Sequence, residues 1–428
     1  MPNPRLRLLF CDHLNLARGK YLPASKMTDG ASRFSQSTFA LTYDKDLVPS
    51  PGSKMLEGLG DMQAIYKQAD FRPGWEPNTQ VVIGELFESD GTPLPMCGRA
   101  ALRRTVQQWQ DIGLKPKVGL ELEAYAFVRD ADGKLKPYDT PGAHVYGTGP
   151  AADPKRFVDA IWYQAEASGF ALECATTEFD SPQFEFTLVY DDTVKAVDDI
   201  FLFRLMAKEI ALNWDIHLTF MPKPILTKGG SGLHVNFSFL DQDGRNALAD
   251  PADGNAMTDL GKGCVAGLMH HHAGIAALVA PTVNSYQRLR PASMSGYWKN
   301  WGGDHRGVTT RIPAENGAKA RIEHRMGDGA ANPYVLTATV LQAARLGVVN
   351  KYVLPPAETA DCLGSHDATE GVANDLSGAL DALEADKALC AAVGETLVVN
   401  HVSIKRDEVK KTAELSGDAL RDFYIHYI

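Results

Sequence analysis

Four segments of the chain alternate apolar and polar side chains with a period of two, the pattern of strands that bury one face. In the run from Val118 to Val128, Leu120 and Leu122 point one way while Glu121 and Glu123 point the other. Gln183, Glu185 and Thr187 share a face, as do His234, Asn236 and Ser238 opposite Leu233, Val235, Phe237 and Phe239. Arg321, Glu323 and Arg325 form the fourth polar row. Helical spacing appears between these segments. A helix is expected from Gly98, with Ala101, Leu102, Val106 and Trp109 on one side and its close near Gly113. A second is punctuated by Asp153 as N-cap, Pro154 at the first position and Gly169 at its end. Val194 to Leu212, Cys264 to Val279 and residues 376–392 read as three more.

Strand-like and helix-like segments are intermingled, and 428 residues exceed one ordinary core, so two domains are expected, 1–100 and 101–428. A net charge of −10 argues against nucleic acid as a partner. The six cysteines are scattered without metal or redox spacing, which fits a reduced, cytoplasmic protein. The start has no signal-like apolar run, and the uncharged stretch between Lys262 and Arg288 holds three histidines and Pro281, which makes it a poor membrane span.

The polar faces carry the chemistry. Glu121 and Glu123 stand roughly 7 Å apart on one strand face, and Glu178 lies just before the strand that bears Glu185. A lone Glu-x-Glu is more often a solvated surface pair. Were the four strands neighbours, however, five glutamates, one histidine and two arginines would share a cavity. That many carboxylates stay ionised together only with cations among them. Oxygen ligands with one imidazole suit Mg²⁺ or Mn²⁺ better than zinc. The arginines then call for anionic partners, phosphate or a substrate carboxylate. Spacing alone leads as far as metal-dependent nucleotide chemistry.

Seven motifs in order bring in a resemblance. Gly230-Ser-Gly-Leu-His234, Asn284-Ser-Tyr-Gln-Arg-Leu289, Arg306-Gly-Val-Thr-Thr-Arg311, Arg321-Ile-Glu-His-Arg325, Asn332-Pro-Tyr334, Phe220-Met-Pro-Lys-Pro224 and Asp12 with Arg18-Gly-Lys20 together resemble the glutamine synthetase family. The resemblance implies an α+β fold: a small β-grasp-like N-terminal domain and a large α/β catalytic domain with a curved antiparallel sheet. It implies one metal on Glu123, Glu178 and Glu185 and another on Glu121, His234 and Glu323. Arg306, Arg311 and Arg321 would hold ATP phosphates and the transferred phosphoryl group, with Arg306 and Glu323 taking part in catalysis. Arg288 and Arg325 would grip the amino-acid carboxylates, beside Gly229 and Gly230, and Asn236 and Ser238 would lie near base and ribose. The implied activity is an ATP-dependent carboxylate–amine ligase working through an acyl phosphate, with small-molecule acid and amine as partners. Rings of six subunits, often paired into twelve, are implied as well.

Three departures bear on the substrate. Met294 stands where the family's flap presents a glutamate, Gly229 replaces an asparagine and so opens space, and the Asp-Gly-Ser segment that helps bind ammonium is not found, Asp44 and Asp46 being the nearest candidates. The flap offers Tyr297, Trp298 and Trp301 instead, either as an amine-binding surface or as ordinary packing. The expectation is γ-glutamylation of an organic amine. Glutamine synthetase proper, a ligase for another acid and an idle nucleotide-binding ring are the alternatives. His270–His272 read as core or surface histidines, and His305 either touches phosphate or is structural. No tyrosine segment for nucleotide attachment is recognisable around Tyr352.

Overall fold

A computed structural model describes residues 4–249 and 257–428. The fold is α+β. Its centre is a mixed, mainly antiparallel sheet built on one long strand, Lys115–Arg129. Gln183–Leu188 pairs with it on one side and Leu233–Leu240 on the other, both antiparallel. Beyond these lie Leu172–Thr177 at one end and Ile322–His324, Thr310–Ile312 and Trp301–Gly303 at the other. Leu120, Leu122, Phe184, Phe186, Val235 and Phe237 are all buried on the helix-covered face. That burial leaves the alternate residues on the opposite face.

Residues before 98 supply two further sheets. The strand Arg5–Cys11 lies between Ala17–Pro23, antiparallel, and Thr79–Ile83, parallel. Leu6, Leu8 and Phe10 face a small core made wholly of residues before 98, whereas Leu9 and Cys11 face the main core.

Among the helices, Gly98–Gln110 and Thr193–Leu212 fall where the periodicity puts them. Three others differ from expectation. The helix expected to open at Asp153 begins at Phe157, because Arg156 takes a left-handed conformation and Pro154–Lys155 form a turn. Asp153 still caps it from a distance, its Oδ2 accepting the Val158 amide at 2.9 Å. The run Cys264–Val279 divides into Asp259–His270 and His272–Val279, and residues 376–392 divide into Leu376–Ala385 and Lys387–Val393. One contact joins the two breaks: His271 Nδ1 lies 2.6 Å from Asp386 Oδ2. Asp386 also caps the following helix through Leu389 N at 3.0 Å. His272 bonds the Tyr297 carbonyl at 3.1 Å, so both buried histidines have packing partners. Among the described residues no helix is long and apolar enough to cross a membrane.

Candidate active site

Strand register sets the site. Glu185 pairs with Glu123, His234 with Glu121, Asn236 with Glu323 and Arg311 with Glu323. Each pair is cross-strand, so side chains spread over 200 residues of sequence meet on one face. Two groups result, Glu121–His234–Glu323 and Glu123–Glu178–Glu185, each with its ligand atoms within 4.8 Å of one another. His234 stands between them. Its Nδ1 lies 3.3 Å from Glu121 Oε2 and 3.6 Å from Glu323 Oε1, and its Nε2 lies 3.7 Å from Glu123 Oε1.

The carboxylates strain against one another. Burial and the negative charges of Glu121, Glu178 and Glu123 push the Glu185 carboxyl up to about 9. Burial and Glu178 push Glu123 up as well, despite hydrogen bonds from Gly232 N at 2.9 Å and Gln183 Nε2 at 3.1 Å. Burial acts on Glu121 too, but His234, Asn236 and Arg325 outweigh it and hold that group low. Carboxyl groups crowded by burial and by one another, with Glu185 pushed furthest, fit a divalent-cation site.

The arginines divide by environment. Glu323 is buried and accepts from Arg311 Nη1 at 3.0 Å and Arg325 Nη1 at 2.5 Å. Arg311 also reaches Asp304 at 2.5 Å, and Arg321 reaches Asn236 Oδ1 at 3.2 Å. Arg288 is buried, donating to the Met326 carbonyl at 2.8 Å and the Arg325 carbonyl at 3.1 Å. Arg306 is not drawn into the cluster: it is exposed on a turn and makes no hydrogen bond among the described residues. Its neighbour His305 bonds the Ala360 carbonyl at 2.7 Å and the Gly307 amide at 3.0 Å, so its ring is structural.

A cavity of about 410 Å³ adjoins the first group, lined by Glu121, Asn236, Ser238, Arg321, Lys117 and Tyr190. Sequence reasoning missed Lys117 and Tyr190. Carrying the alternation of Glu121 and Glu123 back through Gly119 would have reached Lys117. Gly119 leaves room for Tyr190, since a Cβ there would sit 3.2 Å from the tyrosine Cβ.

Met294 is half exposed at a φ of 51°, between Ser293 and Ser295, whose hydroxyls lie 2.5 Å apart. Ser295 is tied back to the Arg288 carbonyl at 3.0 Å. The flap aromatics pack away on residues 355–371. Trp298 stacks on His366 at 3.9 Å, Trp301 Nε1 bonds the Pro355 carbonyl at 2.9 Å, and Tyr297 lies against Gly371. Asp44 and Asp46 are engaged by Lys411, each at 2.8 Å. The space at Gly229 is not open, contrary to expectation: a Cβ there would meet Asp180 Oδ2 at 3.1 Å.

Residues 95–424 match the family model of the glutamine synthetase catalytic domain. The chain belongs to the glutamine synthetase family. It is 31% identical over 344 residues to the glutamine synthetase of Clostridium saccharobutylicum, covering 78% of this chain and 77% of that one. The glutamine synthetase of Pyrococcus abyssi is 29% identical over 415 residues, 94% of this chain and 89% of its own. A solved glutamine synthase homolog superposes with a TM-score of 0.86 at 25% identity, covering 100% and 99% of the two chains. The solved GmaS/ADP complex gives 0.84 at 25% identity over 99% and 97%. As a glutamine synthetase family member the protein is an ATP-dependent carbon–nitrogen ligase, and the family works with divalent metal ions.

Proposed function

We propose that this ligase joins the side-chain carboxylate of glutamate to an organic amine. The observation that carries the reading is the flap: between Arg288 and Asp304 the chain holds no carboxylate, and Met294 is its exposed large apolar side chain. A small ammonium ion is stripped of water economically only among carboxylates, whereas an alkylated amine brings apolar surface that a thioether can meet. The likeness to GmaS over nearly the whole chain supports the same reading. That complex holds ADP, and here the nucleotide would occupy the cavity beside Asn236, Ser238 and Arg321.

Mg²⁺ or Mn²⁺ would be held by Glu121, His234 and Glu323 and by Glu123, Glu178 and Glu185, offsetting the repulsion between a carboxylate nucleophile and a triphosphate. A carboxylate oxygen of glutamate attacks the γ-phosphorus and the bond to ADP breaks. The amine nitrogen then attacks the acyl carbon, phosphate leaves, and the nitrogen gives up its proton. Arg306, exposed and without a hydrogen bond among the described residues, would meet charge on the transferred group. Arg288 and Arg325 would hold the acid's carboxylates, with Arg311 and Arg321 on the phosphates. We also take residues 1–100 as a β-grasp-like domain that shares the main core through Leu9 and Cys11, and rings of six or twelve subunits as the working assembly.

Phosphate release with ATP, screened across acids and amines with Mg²⁺ and Mn²⁺, tests the reading. Faster turnover of glutamate with an alkyl, aryl or polyamine than with ammonium is expected. Turnover with ammonium equal to or above every organic amine would favour the second reading, glutamine synthesis, which the names of the Clostridium and Pyrococcus relatives support.

A further inference from the structure

The segment Gly229–Gly232 runs between an acid and a base. On one side it packs on Arg288: a Cβ at Gly230 would fall 2.6 Å from Arg288 Cγ, and one at Gly232 2.8 Å from Arg288 Nη2. On the other side the Asp180 carboxylate accepts the Gly229 amide. Tyr125 Oη holds the Gly229 carbonyl at 2.9 Å, and Gln183 Nε2 holds the Gly230 carbonyl at 3.0 Å. The point that a side chain at 229 would occupy is therefore faced by two acceptors, Asp180 Oδ2 at 3.1 Å and Gln183 Oε1 at 3.6 Å. A side chain at 229 would press on Asp180 as it is placed here and push its carboxylate aside.

The exchange alters the chemistry offered there. A side-chain amide both donates and accepts, and is neutral. Asp180 brings acceptors only, with a negative charge. Such a place repels a substrate carboxylate and attracts a group rich in N–H donors. An α-amino acid presents an anion and a cation side by side, and here Arg288 and Asp180 flank one short loop in the matching order. We infer that Asp180 is a specificity-determining residue that holds the α-ammonium group of the acid substrate, in place of a side chain at residue 229. The inference rests on the proposed function and names which acids the site admits: α-amino dicarboxylic acids, with glutarate, which has no amino group, excluded. Lys223 is the rival partner for Asp180: the two charges act on one another, while the ammonium also bonds the Lys228 carbonyl.

Calorimetric titration of the full chain with ADP and Mg²⁺ present tests this without requiring turnover. Wild type is expected to bind L-glutamate at least about tenfold more tightly than glutarate. Asp180→Asn should bring that ratio close to one while ADP affinity is retained. Gly229→Ala, whose methyl group would press on the Asp180 carboxylate, should weaken L-glutamate and spare glutarate. The inference is overturned if wild type does not prefer L-glutamate, if Asp180→Asn keeps the preference, or if Gly229→Ala weakens both acids equally. Failure to form a γ-glutamyl amide with any organic amine would reject the proposed function instead and leave the binding ratio standing.

Discussion

Glu185 lies directly opposite Glu123 across an antiparallel strand pair, and Glu178 completes a trio of carboxylates within 4.8 Å. Burial and its charged neighbours push Glu185 up to about 9, against an ordinary value of 4.5. A metal-free folded chain therefore binds a proton that the unfolded chain has released. The associated stability is full below pH 4.5 and is lost as pH rises through about 9. Glu185→Gln removes the repulsion. With chelator at pH 8, that variant should melt about 2 °C or more above wild type. Adding Mg²⁺ or Mn²⁺ should then raise wild type more than the variant. An equal metal-induced rise in both would take Glu185 out of the cation site.

Glu323 holds two guanidinium groups, Arg311 at 3.0 Å and Arg325 at 2.5 Å, with its own side chain 2% exposed. Glu323→Ala would leave two nearby positive charges without their shared acceptor. Breaking a buried pair in this way costs about 3–5 kcal/mol. Denaturant unfolding should show a loss of that size for alanine and a clearly smaller one for Glu323→Gln, which keeps an acceptor oxygen. Both should lose metal-dependent ATP turnover. Alanine and glutamine variants of equal stability would mean that the arginines find other partners when Glu323 is gone.

The polar rows were legible because strand alternation leaves no choice. Once Leu120 and Leu122 are buried, Glu121 and Glu123 must face the other way. What alternation does not carry is register between strands distant in sequence. That Glu185 meets Glu123 and His234 meets Glu121 follows from pairings closed over long loops. The helix breaks at His271 and Asp386 were hidden for the same reason: each sits in a sound helical pattern, and the contact between them joins segments far apart in sequence. Tyr297, Trp298 and Trp301 show the limit of composition. Aromatic residues on a flap serve equally as ligand surface or as packing, and residues 355–371, which receive them, carry no periodicity that announces the contact.

Buried histidines should govern acid stability. Burial holds His401 down to about 3 and His272 and His217 down to about 4, although each ring is bonded to a backbone carbonyl. The unfolded chain takes up protons near pH 6.5 that the folded chain refuses. Stability from these groups is full above pH 6.5 and falls as pH drops toward 4, by about 1.4 kcal/mol per pH unit per residue. The denaturant midpoint of metal-saturated protein should therefore be lower at pH 5 than at pH 7. His401→Gln can still donate to the Ala277 carbonyl but takes no proton, and should narrow that gap. An unchanged gap would place the acid-sensitive group elsewhere.

Met294 and Trp298 are four residues apart on the flap, yet the structure gives them opposite surroundings. Met294 is 49% exposed, whereas Trp298 is stacked on His366. If exposure marks the side chain that meets the amine, the two positions should respond differently. Met294→Glu restores a carboxylate where an ammonium ion can be desolvated and deprotonated, so kcat/KM for ammonium should rise about tenfold or more, with a matching fall for alkyl amines. Trp298→Ala removes a packing contact and should lower the melting temperature while the ratio of organic amine to ammonium turnover stays as in wild type. A shifted ratio in Trp298→Ala with none in Met294→Glu would mean that the aromatic cluster turns inward during the reaction. Amine selectivity would then belong to the moving segment as a whole, not to the single methionine.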